Sequence, residues 1–132
     1  MKVQHLSGKT GSLAEKLAKP LKLHIELEEE LALPLLGLLP DIAKGKLGSG
    51  VARKASSLGM RFEKEYSGML EGHKVLRRYL ENLKTIGSEE GHLTAVRFAE
   101  ALEKHSREEE EVLYPAAILA GRTASTEAKT KR

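Results

Sequence analysis

Two histidines in this chain are each followed four residues later by a glutamate, and the likeness extends well beyond the pair. His24-Ile-Glu-Leu-Glu28-Glu29-Glu30-Leu31-Ala32-Leu33-Pro34 returns 81 positions on (24 to 105) as His105-Ser-Arg-Glu-Glu109-Glu110-Glu111-Val112-Leu113-Tyr114-Pro115. On a helix, residues i and i+4 lie one above the other, so each copy aims an imidazole and a carboxylate the same way. Two such pairs facing each other across a bundle would make a metal site. Imidazole and carboxylate without sulfur suit iron, manganese or zinc better than copper(I) or a cluster.

The elements that must position these groups are long helices. The first opens at a capping box, Ser12-Leu-Ala-Glu15, and is expected to run to about Leu36, with a kink or break at Pro20. Residues 38–49 read as a loop punctuated by Pro40, Gly45 and Gly48. A second helix is expected from about Gly50 to Ile86, weakened near Ser56-Ser57-Leu58-Gly59. Gly87 and Ser88 then read as a tight joint, with a third helix from Glu89 to Ala120 that stops at Gly121. No useful length of strand-like alternation occurs, so the fold class is all-α.

Heptad spacing says which side chains face inward. In the first helix the stripe is Leu17, Leu21, His24, Glu28, Leu31, Leu35 and Leu38. In the second it is Phe62, Tyr66, Met69, His73, Leu76, Leu80 and Leu83. In the third it is Ala95, Phe98, Leu102, His105, Glu109, Val112, Ala116 and Leu119. Each stripe is apolar except at its middle. Two carboxylates and three imidazoles buried in apolar seams are costly, several kcal/mol for each unpaired carboxylate. No inward Lys or Arg stands beside Glu28 or Glu109 in the heptads. One or two metal ions held by His24, Glu28, His73, His105 and Glu109 would balance all five groups. His73 has Arg77 rather than Glu at i+4, and its candidacy rests on its central place in the stripe. Tyr66 and Tyr114 read first as core residues and second as lining for the site. The remaining residues of the two glutamate runs read as solvated helix face.

Composition narrows the function further. The chain has 132 residues, 40% hydrophobic, 31% charged and only 4% aromatic, a balance suited to one helical domain. It contains no cysteine, which excludes disulfides, zinc ribbons and iron–sulfur clusters and fits a reducing, cytoplasmic setting. The polar N-terminus lacks the apolar segment of a signal peptide, and Leu31 to Pro40 is far too short to span a bilayer. The net charge is +3, and part of that excess falls in residues 121–132, expected to be a disordered basic tail following a domain at 1–120. No groove-reading motif accompanies that tail, so neither nucleic acid nor membrane is expected as a partner.

The doubled His-x-x-x-Glu-Glu followed by an apolar group and Pro, with a lone histidine on the intervening helix, resembles the hemerythrin-like (HHE) cation-binding domains. The resemblance covers roughly residues 12–120. It implies an antiparallel four-helix bundle holding two iron ions bridged by the carboxylates Glu28 and Glu109 and capped by His24, His73 and His105, with manganese or zinc as substitutes. The spacing also differs from the Glu-x-x-His of ferritin-type di-iron proteins. One departure matters. The family carries a further helix and histidine before the first pair, whereas only 23 residues precede His24 here, with His5 the one earlier histidine. The usual first helix is therefore expected to be short or missing. Either His5, a second chain completing the bundle as a homodimer, or nothing fills that place.

The function that follows is non-haem di-iron binding that senses, carries or buffers oxygen, nitric oxide or iron. A di-iron oxidoreductase consuming peroxide or nitric oxide is the alternative, ranked second because no separate acid, base or substrate pocket is legible. A metal-free helical interaction module is the third reading.

Overall fold

The computed structural model describes residues 8–130, and every regular element in that span is helical. Three long helical stretches carry the chain. The first is α1 (Gly8–Leu31), extended by the short α2 (Leu33–Leu36) and α3 (Leu39–Ala43). The second is α4 (Ser49–Glu89), and the third is α5 (Leu93–Glu108), a π-helical turn (Glu109–Leu113) and α6 (Tyr114–Thr130). Among the described residues no helix is long and apolar enough to cross a membrane.

The 41 residues of α4 show why this sequence is helical. Its buried positions are Ala52, Ala55, Gly59, Phe62, Met69, His73, Leu76, Leu80, Leu83 and Gly87, with Tyr66 half-buried in line. Those positions alternate by three and four, the repeat that keeps one face of a helix turned inward. Each fully buried leucine on that face contributes roughly 2 kcal/mol of transfer free energy. The stripe runs unbroken through Ser56–Gly59, where a weak point was expected.

The chain forms two compact units, one made of residues up to Ile25 with Met69–Glu108 and one of Glu26–Gly68 with Glu109 onward. In the first unit Ala14, Leu17 and Leu21 of α1 pack with Leu76, Leu80 and Leu83 of α4 and with Ala95 and Ala99 of α5. Helix α1 begins at Gly8, ahead of the expected capping box, and Ser12 and Glu15 are exposed positions inside it. Its cap comes from elsewhere in the chain. The Glu90 carboxylate accepts the backbone N–H of Lys9 at 3.1 Å and of Thr10 at 2.8 Å, together with the Thr10 hydroxyl. An acidic group placed on orphan N–H donors also complements the helix dipole. The helix continues as α-helix through Pro20.

The expected joint at Gly87-Ser88 lies inside α4, and the reversal comes later. Gly91 takes the left-handed conformation, φ +75°, between α4 and α5. Gly87 instead permits close packing, because a Cβ added there would sit 3.4 Å from the Cβ of Ala95.

In the second unit Leu31, Leu35, Leu47, Phe62, Tyr114, Ala117 and Ala124 are buried. Helices α4 and α6 touch at two glycines. A Cβ on Gly59 would lie 2.7 Å from the Cα of Gly121, and one on Gly121 would lie 2.8 Å from the Cα of Gly59. That contact explains why α6 does not stop at Gly121 as expected. The glycine is buried in a helix interface, and the segment expected to be a disordered tail is helical to Thr130.

The third stripe departs from expectation. Val112 and Leu119, expected inside, are 61% and 64% exposed. The buried line is Ala95, Ala99, Ser106, Glu109, Tyr114, Ala117, Ala120 and Ala124. Its single five-residue step, from Glu109 to Tyr114, coincides with the π turn.

Candidate metal centre

In the first unit the imidazoles of His24 on α1 and His73 on α4 meet directly. Their Nε2 atoms are 2.8 Å apart, the ring centroids 4.5 Å apart and the planes inclined at 53°. His73 is fully buried and His24 partly so. Two neutral imidazoles can approach this closely only if one Nε2 bears the proton and the other accepts it. The alternative occupant of such a gap is a cation that takes both lone pairs. Two donors at 90° around an ion with bonds of about 2.1 Å stand roughly 3.0 Å apart.

In the second unit the phenol of Tyr114 joins two carboxylates. Its hydroxyl donates to Glu28 Oε1 at 2.8 Å and lies 3.5 Å from Glu109 Oε1. Glu109 is 3% exposed although it stands in a run of four glutamates. Glu29, Glu30, Glu108 and Glu111 of the two runs are exposed, as expected of a solvated face. Tyr114 is itself buried, its ring edge-on to Phe62 and to Tyr66 at centroid distances of 5.8 and 6.0 Å. Burial first, then the charges of Glu28 and Glu109 and their hydrogen bonds, push its ionisation far above the ordinary phenol range. At neutral pH the side chain is a fixed O–H donor aimed at carboxylate oxygen.

The π turn makes this contact possible. At 100° per residue, five residues of α-helix separate two side chains by about 140°. Glu109 and Tyr114 would then face different ways. A π turn widens the spiral to i→i+5 bonding, so residues five apart fall on one side. The turn has a local cause in Pro115, which has no N–H to donate and whose ring would press on the carbonyl of Glu111 in an α-helix. Pro34 stands in the same relation to Glu30, and there α1 ends at Leu31, before the four-residue α2. The proline shared by both copies of the repeat therefore marks the point where each helix changes course.

His24 and Glu28 lie one turn apart on α1. One donor atom from each of His24, Glu28, His73 and Glu109 lies within 4.8 Å of the other three. Two nitrogens and two carboxylates, with no sulfur, form a set suited to iron, manganese or zinc. The chain is thus a helical protein with a His/Glu group that could hold a metal ion.

Four of the five expected ligands are in this group. His105 is exposed and outside it, on the flank of a helix whose inward positions are Ser106 and Glu109. His5 lies outside the described residues. Tyr114, read first as packing and second as lining for the site, touches two of the four. A regular helix would not pair it with Glu109, because five residues bring side chains together only across a π turn. No family model matches the chain, and neither does any curated protein or solved structure.

Proposed function

We propose that this chain is a hemerythrin-like, non-haem iron-binding protein that senses, carries or buffers oxygen, nitric oxide or iron. The observation that carries the reading is the convergence of two imidazole and two carboxylate donors within 4.8 Å, most of them withdrawn from solvent. Buried carboxylates side by side repel one another, and a cation between them removes that cost while the imidazoles complete its coordination. A second ion would draw on Glu28 and Glu109 as well, since a carboxylate offers about four lone-pair sites. His105, one turn before Glu109, is the expected outer ligand of that second ion. Bound iron would supply a reversible redox couple and a coordination position for a diatomic ligand. The protein's part is to hold the ion and fix its ligands.

The test is metal content and titration. Protein purified without added metal is expected to contain iron, and the metal-free form to take up ferrous ion under anaerobic conditions. His24→Gln and His73→Gln should each weaken uptake at least roughly 10-fold, since even outer-shell changes cost that much. His105→Ala should reduce a stoichiometry of two to one without abolishing binding. A metal-free preparation that takes up no ferrous ion, zinc or manganese would remove the proposal.

A further inference from the structure

Tyr114 does more than fill space beside Phe62 and Tyr66. Its ring makes its edge-on contacts through carbon, and a phenylalanine would make them equally well. The hydroxyl is a separate feature. It stands 2.8 Å from one carboxylate and 3.5 Å from the other, and those two carboxylates come from helices far apart in the chain. The reach depends on the π turn, which lies at the candidate metal centre and brings this hydroxyl to the same side as Glu109. A π turn also leaves helical hydrogen bonding less regular than an α-helix does, and such turns concentrate at functional sites.

We propose that Tyr114 is a positioning residue that locks Glu28, and through it the pair of carboxylates, in the orientation in which they take up a metal ion. The inference rests on the metal-binding reading and adds a role that the His/Glu repeat does not contain. A hydrogen bond from a fixed donor removes rotamer freedom from the carboxylate, so less entropy remains to be lost when an ion binds. The bond uses one lone-pair site of Glu28 Oε1 and leaves the carboxylate able to ligate. The phenol also favours small adjustments of the site over large ones, because its ring packs edge-on against both Phe62 and Tyr66.

The experiment compares wild type, Tyr114→Phe and Tyr66→Phe as full-length chains. Each is stripped of metal, checked for helicity by far-ultraviolet circular dichroism and titrated with zinc as a redox-silent probe. Calorimetric affinity and the rise in melting temperature on adding zinc are both read. Tyr114→Phe is expected to bind zinc 10- to 100-fold more weakly, the usual loss for a group that orients a ligand, and Tyr66→Phe to bind as wild type does. A merely structural hydroxyl would lower the melting temperature with and without zinc alike and leave the affinity in place, and that result overturns the inference.

The Glu28→Gln background supplies a second arm. There Tyr114→Phe should add little further loss, because the two changes remove one interaction, and fully additive losses refute action through Glu28. A third arm needs no variant of Tyr114. Zinc should perturb tyrosine absorption in the wild type, with the signal kept in Tyr66→Phe and Tyr79→Phe, and a flat difference spectrum overturns the inference. If the wild type binds zinc tightly and Tyr114→Phe matches it, only this inference falls. If the wild type binds no metal, the metal-binding reading falls and this inference with it.

Discussion

The π turn behaves as one extra residue in an otherwise regular helix, and this can be tested by removing one. The buried positions Ser106, Glu109, Tyr114, Ala117, Ala120 and Ala124 step by 3, 5, 3, 3 and 4. Deleting exposed Glu111 shortens the five-residue step to four, the angle from Glu109 to Tyr114 becomes about 40° on an α-helix, and all the inward side chains keep their face. The deletion alone leaves Pro115 in a continuous α-helix, which costs about 3 kcal/mol relative to alanine. Pro115→Ala alone should change stability by less than about 1 kcal/mol, because the π turn already accommodates the ring. Joining the deletion to Pro115→Ala should recover the 3 kcal/mol, a coupling worth roughly 10 °C in melting temperature for a chain of this size.

The control is deletion of exposed Leu119. However the helix adjusts, either Tyr114 and Ala117 or Gly121 and Ala124 then turn away from the core. Exposing Tyr114 alone forfeits about 4–6 kcal/mol, from 150–250 Å² at 25 cal/mol per Å². Thermal and urea denaturation followed by circular dichroism would rank the four variants. If the Glu111 deletion with Pro115→Ala melts no higher than the Glu111 deletion alone, or falls to the level of the Leu119 deletion, the account of the π turn is wrong.

Two further outcomes follow from the packing and the caps. Gly59→Ala and Gly121→Ala each place a Cβ about 1 Å inside normal contact distance of a facing backbone carbon, and should cost about 1–2 kcal/mol despite the helix-propensity gain. Gly68→Ala, in the same helix with nothing within 4 Å, should instead stabilise by roughly 0.5–1 kcal/mol, and denaturant midpoints would show whether the signs differ. The Glu90 carboxyl is held below its ordinary value of 4.5 by the Thr10 hydroxyl first, then by the N–H groups of Thr10 and Lys9. A depressed folded-state value means that its contribution is present above the unfolded value and is lost as pH falls through the folded one. Amide-exchange protection at Thr10 should therefore decline as pH drops below about 4.5, and Glu90→Gln should flatten that dependence.

How far the sequence can be read depends on where its periodicity is interrupted. Along α4 nothing interrupts it, and the expected line from Phe62 to Leu83 is buried, apart from half-buried Tyr66. His24 and Glu28 were legible for the same reason, since α1 runs regularly through both. The third helix misled in two ways. Before Glu109 its inward line consists of the small residues Ala95, Ala99 and Ser106, whereas Phe98 and Leu102 cover the flanks half-buried, so side-chain size pointed one position aside and carried His105 with it. After Glu109 the π turn inserts a residue, which is why the expected Val112 and Leu119 are exposed and Tyr114 is buried instead.

The signal for that shift was present in the repeat itself. Each copy places a proline six residues beyond its inward glutamate, so the proline ring meets the carbonyl two residues past that glutamate. The helix is thereby kept regular through Glu28 or Glu109 and released just after it. In the first copy the release ends α1, and in the second it widens the helix enough to bring Tyr114 back beside the carboxylates. Proline in these positions does not merely end an element. It decides which side chain comes next to the glutamates, and a strict heptad assigns that place to the wrong residue.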